Sequence, residues 1–363
     1  MGVVISIPIW GQKYYEIMSQ YLIPSLLIRG NLPKMSSRDE IYIDIYSERH
    51  TLDSLRNELG ESKIHEYCKL NLIEIEPAEI KEAYSNLKSK YDLYGKLHLR
   101  SIIKAAEQNH ACITMAPDVM FTNNFLSEAF HLLNGNLVVF KTSLRVDLDR
   151  FKNFMKLNKL SSDISIEQGR RILESCLHEE MKQFIVDEKN NYFSPQRVII
   201  PFQKKSLLYG ADLHPFILSN DICVALKEGL SLNHANGSID SSNFYGIIFA
   251  KLQAKSNFKI IDSDEFGFQL DLTESNSRST AGFHKSSELK EVIKHLKILS
   301  PEQHFFYGRK IEYKIALSGK QRIGNQFRKY LTRWLFIVIE RRYRYSAFSK
   351  PGSKFSTFWD KEA

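Results

Sequence analysis

Hydrophobic residues occur along the first part of this chain in short runs that alternate with amphipathic stretches. The opening run is rich in β-branched residues, which is typical of a buried β-strand. Strands that alternate with helices predict βαβ units, and therefore an α/β Rossmann-type fold with a mainly parallel sheet flanked by helices. The predicted strands are Val3–Ile9, Ile41–Tyr46, Leu70–Ile75, Ala111–Met115 and Asn136–Phe140, and the predicted helices cover 13–28, 52–58, 78–90, 96–108 and 123–133.

The pattern changes over residues 147–190, which have helical spacing and contain no predicted strand. Ser165 followed by Gln168 is typical of a capping box at a helix start. We expect a helical insertion over one edge of the sheet, or a lid. Beyond it the sequence predicts a strand at 198–201, a loop at 209–215, a helix after Asp240 and a strand at 258–261.

The composition is that of a large globular protein, with 363 residues, 43% of them hydrophobic and 25% charged. No apolar run reaches the roughly 18 residues that a membrane-spanning helix needs. The four cysteines lie far apart and show no spacing typical of a zinc site. This usage favours a cytoplasmic location.

Positive charge is concentrated near the C-terminus. Residues 319–354 contain ten Lys or Arg and one acidic residue, whereas the net charge of the whole chain is +8. Basic residues there flank an aromatic, apolar stretch at 330–339, a pattern that predicts an amphipathic helix lying in the plane of a membrane surface. The alternative is a C-terminal helix packed on the main domain with its basic face in solvent. No nucleic-acid-binding motif accompanies the charge, so we expect no nucleic-acid partner.

We therefore expect a catalytic domain over 1–300 and a basic amphipathic segment over 301–363. The stretch 95–126 carries the most chemistry in the predicted domain: a helix, a short strand, and Asp118 just beyond the strand. Ligands of open α/β sheets bind at this edge. Lys96 and Arg100 are four residues apart and share a helical face. They could neutralise a diphosphate, or they could form a solvated face.

The order of motifs over roughly residues 1–265 resembles that of GT-A glycosyltransferases. In that family a helix carrying an arginine is followed by a strand and then by an acidic D-x-D motif. The similar stretches here are Leu99-Arg100-Ser101, Ala111–Met115, Ala116-Pro117-Asp118 and Asn123–Leu126. Further along, Ser238-Ile239-Asp240 with Lys259–Ile261 is similar to the region that supplies the catalytic base of inverting members.

The resemblance implies roles for individual residues. Asp240 would deprotonate the acceptor hydroxyl, although an aspartate before a helix is also a common N-cap. Asp118 would contact the donor and is the candidate metal ligand, although an aspartate after proline also suits a turn. Independently of the resemblance, Asp212 and His214 lie in a loop bounded by glycine and proline, where they could contact the acceptor or the leaving phosphate, or could simply shape the turn. By position at the strand ends, the residues bordering the nucleotide would be Pro8, Trp10, Gly11, Tyr46 and Ser47.

The D-x-D motif is incomplete, because Ala116 stands where the first aspartate would be. Magnesium and manganese prefer several oxygen ligands, so one carboxylate is a poor site by itself. Either the diphosphate and water would complete the coordination, or cationic side chains would act without a metal.

The sequence thus predicts an enzyme, a glycosyltransferase that moves a sugar from a nucleotide-sugar to a hydroxyl of a glycan or lipid-linked glycan. We expect it at the inner face of the cell membrane, in polysaccharide biosynthesis, as a cytoplasmic, peripheral protein. Two alternatives stay open. One is a sugar nucleotidyltransferase, although its usual glycine-rich loop is reduced here to Gly11 and Lys13. The other is a non-catalytic membrane-surface adaptor with a degenerate GT-A domain.

Overall fold

The computed structural model describes residues 2–182, 197–202, 205–210, 213–232, 237–239, 241–255, 257–261, 263–275 and 310–313. In chain order, the strands among them are β1 (Val3–Pro8), β2 (Ile41–Ser47), β3 (Lys69–Glu74), β4 (Ala111–Thr114), β5 (Val119–Phe121), β6 (Val138–Thr142), β7 (Leu144–Asp147), β8 (Arg197–Phe202), β9 (Lys205–Gly210), β10 (Leu213–Leu218), β11 (Phe258–Ile260), β12 (Gln269–Thr273) and β13 (Lys310–Tyr313).

The helices of the described residues follow the predicted alternation in the first half of the chain. They are α1 (Gln12–Ile17), α2 (Ile23–Leu26), α3 (Leu32–Ser36), α4 (Arg49–Gly60), α5 (Pro77–Ser85), α6 (Leu87–Glu107), α7 (Phe125–His131), α8 (Leu148–Leu157), α9 (Ile166–Cys176), α10 (Glu179–Lys182), α11 (Asn220–Gly229) and α12 (Ser242–Lys255). None of the described helices is long and apolar enough to cross a membrane.

The chain divides into two compact units. The first comprises Met1–Glu179 and Leu213–Ser277, and it contains a seven-stranded sheet of order β11-β6-β10-β4-β1-β2-β3 and a small sheet of order β5-β12-β7. The second comprises Glu180–Asp212 and Arg278–Ala363, and its described part is an antiparallel sheet of order β13-β9-β8. The predicted boundary at residue 300 and the basic stretch at 319–354 lie outside the described residues.

The large sheet confirms the predicted α/β class. Six of its strands run in one direction, and only β10 runs antiparallel to its neighbours β4 and β6. Every residue of β1 is buried, as its β-branched sequence predicts, and Val3, Ile5 and Ile7 join the main hydrophobic cluster. The carboxyl ends of β1, β2, β4 and β6 therefore lie along one edge of the sheet, with the start of β10 between the last two.

Two sequence predictions were wrong in ways that affect this edge. The helix predicted at 96–108 begins at Leu87, because the Asn86 side chain accepts a hydrogen bond from the backbone N–H of Ser89 (2.9 Å) and caps it. In the loop predicted at 209–215, residues 209–210 belong instead to β9 and residues 213–215 to β10, and residues 211–212 lie outside the described residues. Residues 213–218 pair with β6, and the strand bulges after Pro215.

The helical stretch predicted after residue 147 is confirmed as far as the structure describes it. Helices α8, α9 and α10 fill most of 148–182, and residues 183–190 lie outside the described residues. The capping box is also present. The Ser165 side chain accepts from the Gln168 N–H, and the Gln168 side chain accepts from the Ser165 N–H.

Candidate functional site

A pocket of about 370 Å³ opens just beyond the carboxyl end of β1. This is the position at which open α/β sheets bind ligands, and the volume falls within the range of small-molecule sites. Two of the predicted donor-binding residues, Trp10 and Gly11, belong to its wall. The full lining is Trp10, Gly11, Gln12, Lys13, Tyr14, Ala83, Tyr84, Asn86, Leu87 and Lys90.

The turn after β1 shapes one side of this pocket. Gly11 has φ +85°, a conformation that residues with a side chain rarely adopt, and a β-carbon there would lie 3.3 Å from the Tyr84 hydroxyl. Trp10 is buried and packs edge-to-face on Tyr94, with ring centroids 6.0 Å apart. Tyr84 is 63% exposed, and its hydroxyl donates to Glu48 (3.2 Å). The pocket therefore presents aromatic surface near the ends of β1 and β2.

Tyr14, near the start of α1, has two lysine side chains close to its ring. The ammonium groups of Lys13 and Lys90 lie 5.3 Å and 5.1 Å from the centre of its ring, within the range of cation–π contacts. Burial raises the pKa of Tyr14, the nearby charge of Asp118 raises it further, and Lys13 opposes both. The charges of Lys13, Asp118 and Glu274 thus act on Tyr14, which lines the pocket, and the Lys90 ammonium lies close to its ring.

Asp118 follows β4, and the turn that carries it is fixed by a hydrogen bond from the Leu272 N–H to its carbonyl oxygen (2.8 Å). Its side chain is partly buried. Burial and then the charge of Asp271 raise the pKa of Asp118 to about 6, against the opposing effect of Lys90 and Lys13. This carboxyl group can therefore gain or lose a proton close to neutral pH.

Asp271 connects Asp118 to a group of polar side chains on β6, on β12 and at Ser143, the residue between β6 and β7. It lies opposite Val119 in the small sheet, and its two carboxylate oxygens accept hydrogen bonds from the Ser143 hydroxyl and from the Gln269 amide (2.8 Å). Among the described residues, Oε1 of Gln269 and Oγ1 of Thr142 are buried and have no hydrogen-bond partner. Buried polar atoms usually have partners, so these two are available to a ligand.

The described side chains around Asp118 do not form a divalent-metal site. Among the described residues no group of three His, Cys, Asp or Glu side chains converges on one point. Because residue 116 is alanine, Asp118 is the one carboxylate in the turn 116–118. The nearby positive charges of Lys90 and Lys13 act on this carboxylate and lower its pKa. Both oxygens of Asp271 already accept hydrogen bonds. Mg²⁺ and Mn²⁺ favour several oxygen ligands, which these residues do not assemble.

Neither of the predicted donor residues on α6, Lys96 and Arg100, lines the pocket. One guanidinium nitrogen of Arg100 donates to both carboxylate oxygens of Glu79 on α5, at 2.9 Å and 3.1 Å. Lys96 is half-buried on the same helix and does not line the pocket. His98, which shares α6 with them, is 1% exposed, and its Nδ1 lies 3.0 Å from the Ser6 hydroxyl. Its contact with Ser6 on β1 fastens α6 to the sheet.

The predicted residues Pro8, Tyr46 and Ser47, at the ends of β1 and β2, lie at the carboxyl edge of the sheet and do not line the pocket. Pro8 and Tyr46 pair across the two strands. The Tyr46 hydroxyl is buried against the hydroxyl of Ser101 (3.0 Å), and burial raises its pKa. The Ser47 hydroxyl is buried and has no hydrogen-bond partner among the described residues.

The predicted acceptor-side residues divide between described and undescribed parts of the chain. His214 is on β10 opposite Lys141, at the start of the strand beside the carboxyl end of β6. Asp212 and Asp240 lie outside the described residues. The turn just before Asp240 is described: the Gly237 N–H donates to the Asp92 carboxylate on α6 (2.6 Å).

Several site residues were not predicted from the sequence. Lys90 was placed at the end of a different helix, and Asp271 had no recognisable motif around it. The adjacent pair Lys13-Tyr14 was a detectable signal, because it directly follows the turn after a strand whose end was expected to bind the donor.

No protein-family model and no curated protein matches the sequence. Solved structures with a similar fold include mouse xyloside xylosyltransferase 1 in its apo form, S. aureus TarS 1-349 with UDP, and GalNAc-T7 with UDP, GalNAc and Mn²⁺. Their TM-scores are 0.36, 0.36 and 0.41, at 12%, 10% and 11% identity. GT-A-type glycosyltransferases, which the sequence motifs resemble, are thus among the similar structures.

The matched regions cover 72%, 75% and 85% of this chain, and 84%, 61% and 50% of the three solved chains. The chain therefore spans less than two thirds of the TarS fragment and of GalNAc-T7. Similarity at these TM-scores carries no argument about activity. Function is inferred below from the residues of this chain's own site.

Proposed function

We propose that this chain is a glycosyltransferase that uses a nucleotide-sugar donor. The observation that carries the proposal is the pocket beyond β1, whose lining combines the exposed ring of Tyr84 with Lys13 and Lys90, close to Asp118. A nucleoside suits the aromatic part of this lining, because bases stack on aromatic rings. Its diphosphate would then extend toward the lysines, and its sugar toward Asp118.

The transfer step would take place next to Asp118, at the carboxyl edge of the sheet. A base removes the proton of the acceptor hydroxyl, the hydroxyl oxygen forms a bond to the anomeric carbon, and the bond from that carbon to the phosphate oxygen breaks. The electron pair leaves with the nucleoside diphosphate. We propose Asp240 as this base. The support is that Asp240 follows a turn whose Gly237 N–H donates to the Asp92 carboxylate on α6, the helix that also carries Lys90.

Asp118 would hold a hydroxyl group of the donor. With its pKa near 6 it is mostly ionised at neutral pH and can accept a hydrogen bond from a ribose or sugar hydroxyl. The unpartnered oxygens of Gln269 and Thr142 would bind further hydroxyl groups of the donor sugar or the acceptor. Sugar hydroxyls suit this edge, because each can both donate and accept hydrogen bonds.

The acceptor we propose is a glycan or a lipid-linked glycan at the cytoplasmic face of the membrane, and the process is polysaccharide biosynthesis. The support is the sequence of the basic, aromatic stretch at 319–354, which would bind anionic lipid head groups as a peripheral anchor. His214, at the sheet edge beside β6, and Asp212, two residues before it, would meet the acceptor or the leaving phosphate.

A nucleotide screen tests the proposal. Thermal unfolding of the full chain is measured with UDP-, GDP-, CMP- and dTDP-sugars, followed by a transfer assay with the donor that stabilises it. We expect one donor class to raise the unfolding temperature and to be consumed. Stabilisation by none of them would contradict the proposal and favour a non-catalytic adaptor, whereas release of pyrophosphate from a nucleoside triphosphate and a sugar phosphate would indicate a nucleotidyltransferase.

Two exposed tyrosines provide a matched pair of variants for the screen. Tyr84 lines the pocket, whereas Tyr91 is 43% exposed on α6 and does not line it. We expect Tyr84→Ala to weaken nucleotide binding about 10-fold, since stacking on an aromatic side chain contributes about 1–3 kcal/mol per base. Tyr91→Ala should leave binding unchanged. If the two variants have equal effects on nucleotide binding, the nucleotide does not bind in this pocket.

A further inference from the structure

We propose that Lys13 and Lys90 hold the diphosphate of the donor and supply its positive counter-charge, so that binding and transfer need no divalent cation. This inference rests on the proposed function and deepens it, because it names how that site recognises its leaving group. Lys96 and Arg100, the cationic pair favoured by the sequence, do not line the pocket.

The first support is the position of the two ammonium groups. They belong to different helices, α1 and α6, and both lie just over 5 Å from the centre of the Tyr14 ring. Lys90 also lies 3.5 Å from the Tyr14 hydroxyl. Both lysines line the pocket together with Tyr14, so two positive charges are available to a diphosphate, whose phosphates can each accept charge-assisted hydrogen bonds.

The second support is the chemistry of the nearby acidic residues. A metal-binding version of this edge would bring several carboxylate oxygens together, but residue 116 is alanine, and the Asp271 carboxylate is held by Ser143 and Gln269. The Asp118 carboxylate is close enough to Lys90 and Lys13 for their charges to lower its pKa. In this arrangement lysines provide the positive charge that compensates a phosphate, a role that elsewhere falls to Mg²⁺ or Mn²⁺.

The third support is an ion pair that a diphosphate can replace. The Lys13 ammonium lies 2.6 Å from the carboxylate of Glu274, and both side chains are largely exposed. An exposed pair of this kind contributes little to stability, so a phosphate can displace the carboxylate at small cost. Glu274 therefore competes with the donor for Lys13, and removing its charge should strengthen donor binding.

The experiment measures the dissociation constants of UDP, GDP, CDP and dTDP for the full chain by calorimetry. Each titration is carried out once with excess EDTA and once with MnCl₂ or MgCl₂. The variants are Lys13→Met, Lys90→Met and Glu274→Gln, with Lys88→Met as the control. Lys88 is exposed, two residues before Lys90 in α6, and does not line the pocket. Lys90→Arg keeps the charge, and circular dichroism checks that each variant folds.

We expect the best-bound nucleotide to have the same affinity, within about twofold, with EDTA and with metal. Lys13→Met and Lys90→Met should each weaken it about 10- to 100-fold, the usual range for a lost charge-assisted hydrogen bond. Lys90→Arg should retain most of the affinity, Glu274→Gln should increase it, and Lys88→Met should not change it.

Two other results would overturn the inference in distinguishable ways. If the wild-type chain binds a nucleotide tightly only with Mn²⁺ or Mg²⁺, or if the two lysine variants bind as well as the control, the lysine pair does not hold the diphosphate, while the proposed function stands. If no nucleotide binds under either condition, the proposed function is wrong, and the inference is lost with it.

Discussion

Gly95 in α6 lies against the backbone of Gly237, so close that a β-carbon at residue 95 would come within 1.9 Å of the Gly237 carbonyl oxygen. The neighbouring Gly237 N–H is bonded to Asp92 one helical turn earlier. A side chain at residue 95 is therefore incompatible with the present position of this turn. Asp240, the proposed base, is only three residues further along the chain, so we expect a displaced turn to impair transfer.

Gly95→Ala is expected to displace the turn at Gly237. The free energy of unfolding should fall by about 1–3 kcal/mol, as for other overpacked sites, and sugar transfer should fall more than donor binding. Urea unfolding and a donor titration measure the two effects. The control is Gly246→Ala in α12, where a β-carbon meets nothing within 4 Å. That variant should be more stable by about 0.5–1 kcal/mol, since alanine favours a helix interior. Equal behaviour of the two variants would contradict the tight contact.

Asp118→Asn is expected to abolish transfer but to stabilise the folded chain at neutral pH. The folded-state pKa of Asp118, about 6, lies above the ordinary value of 3.8, so ionisation costs more in the folded than in the unfolded chain. The cost is absent below the unfolded pKa, grows as the pH rises from about 4 to 6, and is constant above. At pH 8 the free energy of unfolding of the variant should therefore exceed that of the wild type by roughly 1–3 kcal/mol, and this difference should vanish near pH 3. Urea unfolding of both proteins from pH 3 to pH 8 measures this difference. A difference in unfolding free energy that does not change with pH would contradict the prediction.

Asp271→Asn should lower the pKa of Asp118. The charge of Asp271 is the second cause of the raised pKa after burial, so its removal should move the midpoint below 6 but leave it above 3.8. Carbon-13 NMR of labelled aspartate carboxyl groups measures the midpoint directly. Asp53→Asn provides the control, because that carboxylate is exposed on α4 and pairs with Arg56. An unchanged Asp118 midpoint in Asp271→Asn would show that the two carboxyl groups do not interact.

Arg100 is expected to stabilise the fold rather than to bind the donor. A double-mutant cycle with Arg100→Met and Glu79→Gln should give a coupling energy of about 1 kcal/mol, since the two-bond pair is only partly exposed. Nucleotide affinity should be the same in all four proteins. A 10-fold loss of nucleotide affinity in Arg100→Met alone would instead indicate that Arg100 binds the donor.

The elements of the sheet were predictable where local sequence decides them. The β-branched residues of Val3–Ile9 and the Ser165–Gln168 capping box act over a few residues, so their patterns are visible in the sequence. The antiparallel strand at 213–218 was not predicted, because its pairing partners Ile113 and Val139 are far away in the sequence. A glycine and a proline near its start suggested a loop instead.

The same distinction applies to the site. Asp118, Trp10 and Gly11 could be proposed from the sequence because each comes shortly after a strand, and ligands of open α/β sheets bind at strand ends. Lys90 and Asp271 reach the site through tertiary packing. Lys90 does so because Asn86 starts α6 earlier than its hydrophobic pattern indicated, and Asp271 because β12 pairs with β5 across 150 residues of chain.

The position of β10 has a consequence for biosynthesis. Strands β4 and β6 are joined only through β10, whose first residue is synthesised about 70 residues after the end of β6. A chain emerging from the ribosome can form the β3-β2-β1-β4 half of the sheet early, but the edge of β4 must wait unpaired. That exposed edge would make the growing chain a client for chaperones, and assembly of the second half would be the slow event in its maturation.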